Sequence, residues 1–257
     1  PEHISEQLIS KGIVPLCGLE EAMSAIAALS LIAKPSSSLP IHLPITVQHP
    51  MALSEFEAKK ILAKCGVRIP RSSEVNGSID AVSAAEQIGF PVVLKGVGIA
   101  HKTEAGAVAL NLTSIDAVKC AADLMPSKQM LVEEMVTRHV AELLIGVVQD
   151  PAHGYILTLA AGGALTELLQ DRVSLVLPVM PSQIEDALGE LRISKLLSGY
   201  RGGVACNTQA IIDAVMAVQD YVISNPVEEV EINPLLCGED FAIAADALIR
   251  CGEKHDR

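Results

Sequence analysis

The chain has 257 residues, of which half are hydrophobic, and it carries a formal net charge of −12 with an isoelectric point near 5.0. An acidic chain without a lysine or arginine cluster makes a poor nucleic-acid surface, and an aromatic content of 2% leaves few side chains for base stacking. The longest apolar run, residues 22–33, is shorter than the ~20 residues that a membrane span needs. The six cysteines are scattered without a Cys-x-x-Cys pair, which favours reduced thiols in a cytoplasmic protein over a zinc site.

The first 50 residues differ in pattern from the rest of the chain. Residues 4–33 are predicted to form a helix, a short strand at 13–16 and a second helix, and a lone strand has no neighbour for its hydrogen bonds. Four prolines then fall within residues 35–50, where they remove amide donors and prevent a helix. We therefore predict the tail of a larger domain over residues 1–34, a linker over 35–50 and a separate domain over 51–257.

Beyond residue 50, short strands and helices alternate without a strict β-α-β order, which predicts an α+β fold with antiparallel sheets. Ser54, Ser78 and Ser114 are predicted to cap the first three helices of this region, and two more helices are predicted over 182–197 and 208–224. The predicted strands are 67–69, 91–95, 107–112, 130–136, 141–148, 155–159, 173–177, 229–232 and 241–245.

A lysine and a histidine near residue 100 are the first candidates for chemistry. Lys95 ends a predicted strand and is followed by Gly96 and Gly98, and glycines let backbone amides approach phosphate oxygens. The spacing is not that of a P-loop. His101, on the next loop, could accept a phosphoryl group or act as a base. A solvated lysine and a surface histidine are the plain alternatives.

Three oxygen-bearing side chains near the end of the chain predict a Mg²⁺ site. Glu231 and Asn233 are two residues apart on a strand that Pro234 is predicted to end, so they point to the same face. Asp246 lies in an apolar stretch on the next predicted strand, where a carboxylate must be paired or bound to a cation. Mg²⁺ prefers one or two carboxylates together with phosphate oxygens. Acids on an edge strand that face water are the alternative.

Two further segments could contact a nucleotide. The backbone of residues 131–136 could pair with the edge of an adenine, and Glu142 on the following strand could accept hydrogen bonds from ribose hydroxyls. Gly162 and Gly163 mark a turn, and Arg172 beyond them could face a phosphate or pair with the aspartate before it. An ordinary sheet strand is equally compatible with the first of these patterns.

Taken in order, these segments resemble the ATP-grasp domain of NDP-forming acyl-CoA synthetases, the family related to succinyl-CoA synthetase. The resemblance covers about residues 51–250, and the tail over 1–34 resembles the end of the CoA-ligase domain that precedes ATP-grasp in single-chain members. It implies an ATP-grasp fold of two lobes that grip a nucleotide, preceded by a leftover β-α unit. The motifs that carry it are Leu-Ser-Glu-x-Glu-Ala-Lys from residue 53, Pro-Val-Val-Leu-Lys from 91, His-Lys-Thr-Glu-Ala-Gly from 101, Glu-Met-Val from 134, Gly-Gly-x-x-x-Glu-x-x-x-Asp from 162 and Glu-Ile-Asn-Pro-Leu from 231.

The resemblance also implies a reaction, acid + CoA + ATP ⇌ acyl-CoA + ADP + phosphate, that passes through a phosphohistidine. Nucleotide and Mg²⁺ would bind this chain, whereas CoA would be bound mainly by CoA-binding domains in the same chain or in a partner subunit, and an oligomer is compatible with this arrangement. The implied site residues are His101 for catalysis, Lys95, Glu134, Met135, Val136, Glu142, Gly162, Gly163 and Arg172 for the nucleotide, and Glu231, Asn233 and Asp246 for the metal.

Two other functions stay open at this level. The Gly-x-Gly-Gly of the family reads Ala-Ala-Gly-Gly at residues 160–163, and a usual second glycine after Gly106 is Ala107. These changes favour a ligand-sensing module of a protein lysine acyltransferase, whereas the retained Lys95 and His101 favour the enzyme. A different ATP-grasp carboxylate ligase, one that joins an acid to an amine, is the third reading, and the histidine signature speaks against it.

Overall fold

The computed structural model describes residues 2–16, 18–32, 40, 42–44, 47, 49–99, 105–163 and 171–252, which belong to two compact units, Pro1–Ser38 and Leu39–Arg257. The first unit contains the helices α1 (Glu2–Ser10) and α2 (Leu19–Ile32). The strand predicted at residues 13–16 is wrong: these residues form neither helix nor strand, because the described part of this unit offers no second strand to pair with. None of the described helices has both the length and the apolar character that crossing a membrane requires.

The second unit contains two antiparallel sheets with helices packed against them. Its strands in chain order are β1 (Met51–Ala52), β2 (Ser72–Asn76), β3 (Val92–Gly96), β4 (Val108–Leu112), β5 (Gln129–Glu134), β6 (Ala141–Asp150), β7 (Gly154–Ala161), β8 (Arg172–Val176), β9 (Val227–Cys237), β10 (Ala242–Ala244) and β11 (Ala247–Cys251). The helices described in this unit are α3 (Glu55–Lys64), α4 (Ser78–Ile88), α5 (Ile115–Leu124), α6 (Pro181–Glu190), α7 (Ser194–Leu197) and α8 (Thr208–Ser224), with a 3-10 turn at Tyr200–Gly202.

The two sheets have separate cores. The smaller sheet has the order β2-β5-β3-β4, and its buried Leu94 and Val132 pack with Ala81 and Ala85 of α4 and Val118 of α5. The larger sheet has the order β1-β11-β9-β6-β7-β8, with β10 also paired to β9, and it packs with α3, α6 and α8 in the larger core. All the described strand pairs are antiparallel, and the predicted α+β fold with two lobes is confirmed.

Two of the three predicted serine caps are present. The Ser54 hydroxyl accepts from the Glu57 N–H while the Glu57 carboxylate accepts from the Ser54 N–H, so α3 begins with a full capping box. The Ser114 hydroxyl caps α5 in the same way, without the reciprocal acid. Ser78 is instead the first helical residue of α4, because Gly77, with φ of +87°, takes the capping position.

The strand that carries Glu231 and Asn233 does not end at Pro234. β9 continues to Cys237, and opposite the Asn233–Pro234 pair the register with β6 shifts between Leu143 and Ile145. Such a bulge is one of the few places where a proline fits inside a sheet, since no ladder hydrogen bond is required of it there. Asp246 correspondingly lies in the short turn between β10 and β11 and not on a strand.

Candidate functional site

A cavity of about 470 Å³ lies between the small sheet and the end of the large one, and we call it the inter-sheet cavity. Its walls are Pro70, Val93, Lys95, Val108, Leu110, Glu133, Glu134, Met135, Val136, His139, Glu142, Gly163, Asn233, Pro234, Leu236, Ala245 and Asp246. Lys95 and Asp246 also line a second cavity of about 510 Å³, whose other walls include the start of α3 and of β11. Lys95 and Asp246 therefore lie at the boundary between the two cavities.

Lys95 is held by three acceptors. Its Nζ lies 2.7 Å from Oε1 of Glu55, 2.7 Å from Oε2 of Glu133 and 2.8 Å from the carbonyl oxygen of Ala245. Burial lowers the pKa of Lys95, but the negative charges of Glu133, Glu55 and Asp246 outweigh it, so the net pKa lies above its ordinary value. The lysine is therefore firmly charged, as a phosphate ligand must be.

A second lysine, Lys59, lies behind the first and is fully buried. Its Nζ is 2.7 Å from Oε1 of Glu55, and 2.7 and 2.9 Å from the two oxygens of Glu133. Burial and the charge of Lys95 lower the pKa of Lys59, against the opposing effect of the two carboxylates. Sequence reasoning assigned no role to Lys59, Glu55 or Glu133. The available signal was Glu133 itself, a carboxylate at the end of an apolar strand.

The three predicted metal ligands lie together. The Gly163 N–H donates to Oδ1 of Asn233 at 3.3 Å, and the Asn233 N–H donates to the carbonyl oxygen of Asp246 at 3.3 Å. Burial raises the pKa of the half-buried Glu231, a side-chain hydrogen bond with Asn233 opposes this, and the charge of Asp246 adds to it. Two carboxylates and an amide oxygen make a hard-oxygen donor set that fits Mg²⁺, and a cation would relieve the repulsion between the acids.

These residues would be only part of a coordination shell. Among the described residues, no group of three or more His, Cys, Asp and Glu is arranged to hold a metal ion. Mg²⁺ that is shared with a nucleotide needs few protein ligands, because phosphate oxygens and water supply the rest. Glu231 does not line the inter-sheet cavity, whereas the other two candidate metal ligands, Asn233 and Asp246, do.

The hinge at residues 134–136 has most of its backbone donors engaged. The Glu134 N–H donates to the carbonyl of Arg71 at 2.9 Å, and the Met135 N–H donates to that of Pro91 at 3.1 Å. The Arg71 guanidinium also binds the Glu134 carboxylate at 2.9 Å and lowers the pKa of that carboxyl. Of the three N–H groups in residues 134–136, those of Glu134 and Met135 have backbone acceptors within the described chain, so Val136 is the candidate donor to an adenine.

The glycine pair after β7 is required by close packing. The Gly162 N–H donates to the carbonyl of Glu142 at 2.8 Å, and a Cβ on Gly162 would lie 2.6 Å from the carbonyl carbon of Leu143. Gly163 has φ of +71°, and a Cβ there would collide with the Glu142 carboxylate. That carboxylate lies 3.2 Å from Nε2 of His139. Both glycines therefore let the chain after β7 pass close to Glu142 and Leu143 at the start of β6.

The predictions for Arg172 and His101 have different outcomes. Arg172 is the exposed first residue of β8 and does not belong to the described wall of the inter-sheet cavity. The neighbouring Asp171 is buried, and its carboxylate accepts from the N–H groups of Arg192 and Ile193 at 2.7 and 2.9 Å. His101 lies outside the described residues.

The alanines at residues 160 and 161 lie on β7 itself. They are buried and pair with Leu144 and Leu143 of β6. At these positions a methyl group packs within a sheet, so the glycines of the described part of this turn are Gly162 and Gly163.

Comparison with known proteins matches residues 46–251 to the ATP-grasp domain family. An ADP-forming acetate–CoA ligase II of Archaeoglobus fulgidus is 31% identical over 210 residues, which are 79% of this chain and 31% of that protein. The beta subunit of ADP-forming acetate–CoA ligase I of Pyrococcus furiosus is 29% identical over 209 residues, which are 76% of this chain and 90% of that subunit. The chain thus spans about a third of the first relative and most of the second.

A solved structure shares the fold over most of its length. The dinucleotide-forming acetyl-coenzyme A synthetase 1 of Ca. Korarchaeum cryptofilum, in complex with coenzyme A and Ca-AMPCP, superposes with a TM-score of 0.72 and 29% identity. The match covers 78% of this chain and 93% of that one. The expected fold and the expected kinship with acyl-CoA synthetases are both confirmed. The chain therefore belongs to the ATP-grasp family, and its homologues include ADP-forming acetate–CoA ligases.

Proposed function

We propose that this chain is the nucleotide-binding, phosphoryl-transfer domain of an NDP-forming acyl-CoA synthetase, which catalyses acid + CoA + ATP ⇌ acyl-CoA + ADP + phosphate. One observation carries the proposal: a charged lysine, Lys95, and two oxygen ligands, Asn233 and Asp246, converge on one cavity whose wall also contains the hinge at 134–136. Phosphoryl transfer needs mainly positioning and charge neutralisation, and these residues supply both.

The geometry suggests how the nucleotide lies. The adenine edge would meet the N–H of Val136, the ribose hydroxyls would donate to Glu142, and the phosphates would extend toward Lys95. Mg²⁺, held by Asn233 and Asp246 with Glu231 beside them, would offset the negative charge of the phosphate oxygens.

The phosphoryl group must travel between this site and the site at which CoA reacts. His101, by its likeness to the family signature, would carry the group: neutral imidazole attacks the phosphorus of an acyl phosphate, whose carboxylate leaves, and a phosphate oxygen of ADP then attacks the phosphoramidate, which gives ATP and releases the imidazole. One structure of the Ca. Korarchaeum cryptofilum enzyme, 30% identical to this chain, holds coenzyme A and Mg-AMPPCP with a phosphohistidine segment pointing toward its nucleotide-binding site. That arrangement supports a route in which a phosphohistidine delivers the phosphoryl group to the nucleotide site.

The remaining parts of the reaction would lie outside residues 51–257. We propose that residues 1–34 are the tail of a CoA-ligase domain, that 35–50 are a linker, and that CoA-binding domains in the same chain or in a partner subunit complete a cytoplasmic enzyme. The beta subunit of Pyrococcus furiosus, of which the chain covers 90%, supports the arrangement in separate subunits. The longer relatives support a single chain.

The glycine changes no longer favour the sensing module over the enzyme. Ala160 and Ala161 are strand residues, and Ala107 is buried, with its carbonyl accepting from the Gly96 N–H at 2.8 Å. All three methyl groups therefore lie where the packing accepts them.

The test is ATP formation from acyl-CoA, phosphate and ADP by the assembled enzyme, with its CoA-binding domains present. His101→Ala is expected to abolish ATP formation while ADP binding persists. The matched control is His153→Ala, because His153 is exposed and pairs with Asp150 in the turn between β6 and β7. Turnover at the wild-type rate in His101→Ala would refute the relay. A wild-type chain that binds neither ADP nor ATP would refute the proposed function as a whole.

A further inference from the structure

The ammonium group of Lys95 has three hydrogens and three protein acceptors. Glu55, Glu133 and the carbonyl of Ala245 lie 2.7, 2.7 and 2.8 Å from its nitrogen. A lysine can donate three hydrogen bonds, so a phosphate oxygen can reach this one only by replacing an acceptor that it already has. Phosphate binding at Lys95 is therefore an exchange and not a simple addition.

Lys59 shares both carboxylates with Lys95. Its nitrogen lies 2.7 Å from the same Glu55 oxygen and within 2.9 Å of both Glu133 oxygens. Side-chain exposure in this cluster is 0% for Lys59, 2% for Glu133, 9% for Glu55 and 11% for Lys95. The four formal charges cancel, and the lysine with the greatest exposure is the one that reaches the cavities.

The burial of the carboxylates decides what an exchange costs. If Lys95 were the sole counter-ion, turning toward a phosphate would leave a buried carboxylate unpaired, which is strongly unfavourable. With Lys59 in place, both carboxylates keep an ammonium group within hydrogen-bond distance after Lys95 has turned. Lys59 therefore makes Lys95 available to a ligand.

We propose that Lys59 is a positioning residue for nucleotide phosphates: it keeps Glu55 and Glu133 paired with an ammonium group, so that Lys95 can exchange one of its protein acceptors for a phosphate oxygen. This inference rests on the proposed function, because it assumes that phosphates bind at Lys95. The competing view is that the cluster only fastens α3 to β5. In that case, loss of Lys59 would lower stability but would not weaken Mg-ADP binding more than adenosine binding.

The test compares Mg-ADP with adenosine, which lacks phosphates. We would measure both affinities for the full chain, adenosine by competition, in wild type, Lys59→Met and the control Lys64→Met. Lys64 lies on the same helix and is exposed, so its loss removes the same charge from outside the cluster. Lys59→Met is expected to weaken Mg-ADP about tenfold or more relative to adenosine, because unpaired buried carboxylates compete with the phosphate for Lys95. Lys64→Met should leave that ratio at its wild-type value.

A second variant covers the case in which Lys59→Met does not fold. Glu55→Gln leaves Lys59 paired with Glu133 and removes one negative charge that competes with a phosphate for Lys95. The proposal predicts that its Mg-ADP affinity equals or exceeds that of wild type, and that Lys59→Met/Glu55→Gln recovers part of the loss seen with Lys59→Met.

Two results would overturn the proposal while the proposed function stands. One is a wild-type ratio of Mg-ADP to adenosine affinity in Lys59→Met, and the other is weaker Mg-ADP binding in Glu55→Gln. If wild type binds no ADP at all, the proposed function fails and this inference fails with it.

Discussion

Replacing Gly162 by alanine tests whether close packing at the end of β7 holds the nucleotide site together. The added Cβ would lie 2.6, 2.7 and 2.9 Å from the carbonyl carbon, oxygen and nitrogen of Leu143, whereas ordinary contacts begin at 3.4 Å. The backbone must therefore move by about 0.8 Å at the closest contact. Leu143 lies on a central strand that pairs with both β7 and β9, so the strand cannot yield freely.

The cost follows from this geometry. Overpacking of this kind typically lowers the free energy of unfolding by about 1–3 kcal/mol. The displacement also reaches the site, because the Gly162 N–H binds the Glu142 carbonyl and the next residue, Gly163, binds Asn233. If half of that cost, about 0.5–1.5 kcal/mol, falls on the bound state alone, Mg-ADP affinity drops by about two- to twelvefold, since each 1.4 kcal/mol is a factor of ten.

Urea unfolding and calorimetric titration with Mg-ADP measure the two effects. The matched control is Gly189→Ala, because Gly189 is exposed on α6 and has no atom within 4 Å of an added Cβ. That change should stabilise the protein by up to about 1 kcal/mol through helix propensity and leave ADP affinity unchanged. A Gly162→Ala protein as stable as wild type, with wild-type ADP affinity, would refute the packing argument.

Further predictions concern the acidic side chains of the site. Asp246→Asn should weaken Mg-ADP binding by about tenfold, or ~1.4 kcal/mol, and should weaken ADP binding in the presence of a chelator much less. Equal losses of affinity in both titrations would mean that Asp246 is structural. Burial raises the pKa of Glu231 in the folded protein above its ordinary value of 4.5. As pH rises, the Glu231 carboxyl therefore ionises in the unfolded chain before it ionises in the folded one. Wild type should lose stability relative to Glu231→Gln as pH rises from 4.5 to the folded pKa. Unfolding curves from pH 4 to 7 in the absence of Mg²⁺ test this, and a difference that is constant with pH would contradict it.

The proximity of Glu231, Asn233 and Asp246, the proposed metal ligands, was predictable from the sequence because it depends on local anomalies. Asp246 is a carboxylate in an apolar stretch, and the structure places it beside Lys95 and Asn233. Asn233 and Glu231 are two residues apart on one strand, and they share a hydrogen bond. Short-range pattern and the cost of burying a charge were sufficient here.

The charged cluster was missed because its meaning depends on tertiary packing. Glu55 and Lys59 are four residues apart on α3, and such a pair ordinarily marks the solvent-facing side of a helix. Here the side of α3 that carries Glu55 and Lys59 faces β5, and Lys59 contacts Glu133 on that strand. Which face of a helix is buried against a polar partner depends on residues more than 70 positions away, and local pattern does not contain that information.

The bounds of two strands also depend on tertiary contacts that local sequence does not contain. Pro234 was a sound reason to end a strand, yet β9 continues because a register shift opposite it in β6 removes the need for its amide. β2, with the sequence Ser-Ser-Glu-Val-Asn, has almost no apolar alternation and forms because β5 offers it a ladder. Both elements are fixed by their partner strands.

The central claim is that the inter-sheet cavity binds a nucleotide, and a crystal structure of the chain with Mg²⁺ and a non-hydrolysable ATP analogue tests it most directly. The account predicts an adenine within hydrogen-bond distance of the Val136 N–H, and a phosphate oxygen on Nζ of Lys95 in place of one of its three present acceptors. It also predicts a metal ion that contacts Asp246. An adenine bound elsewhere, or phosphates that leave Lys95 with Glu55, Glu133 and Ala245 all in place, would contradict it.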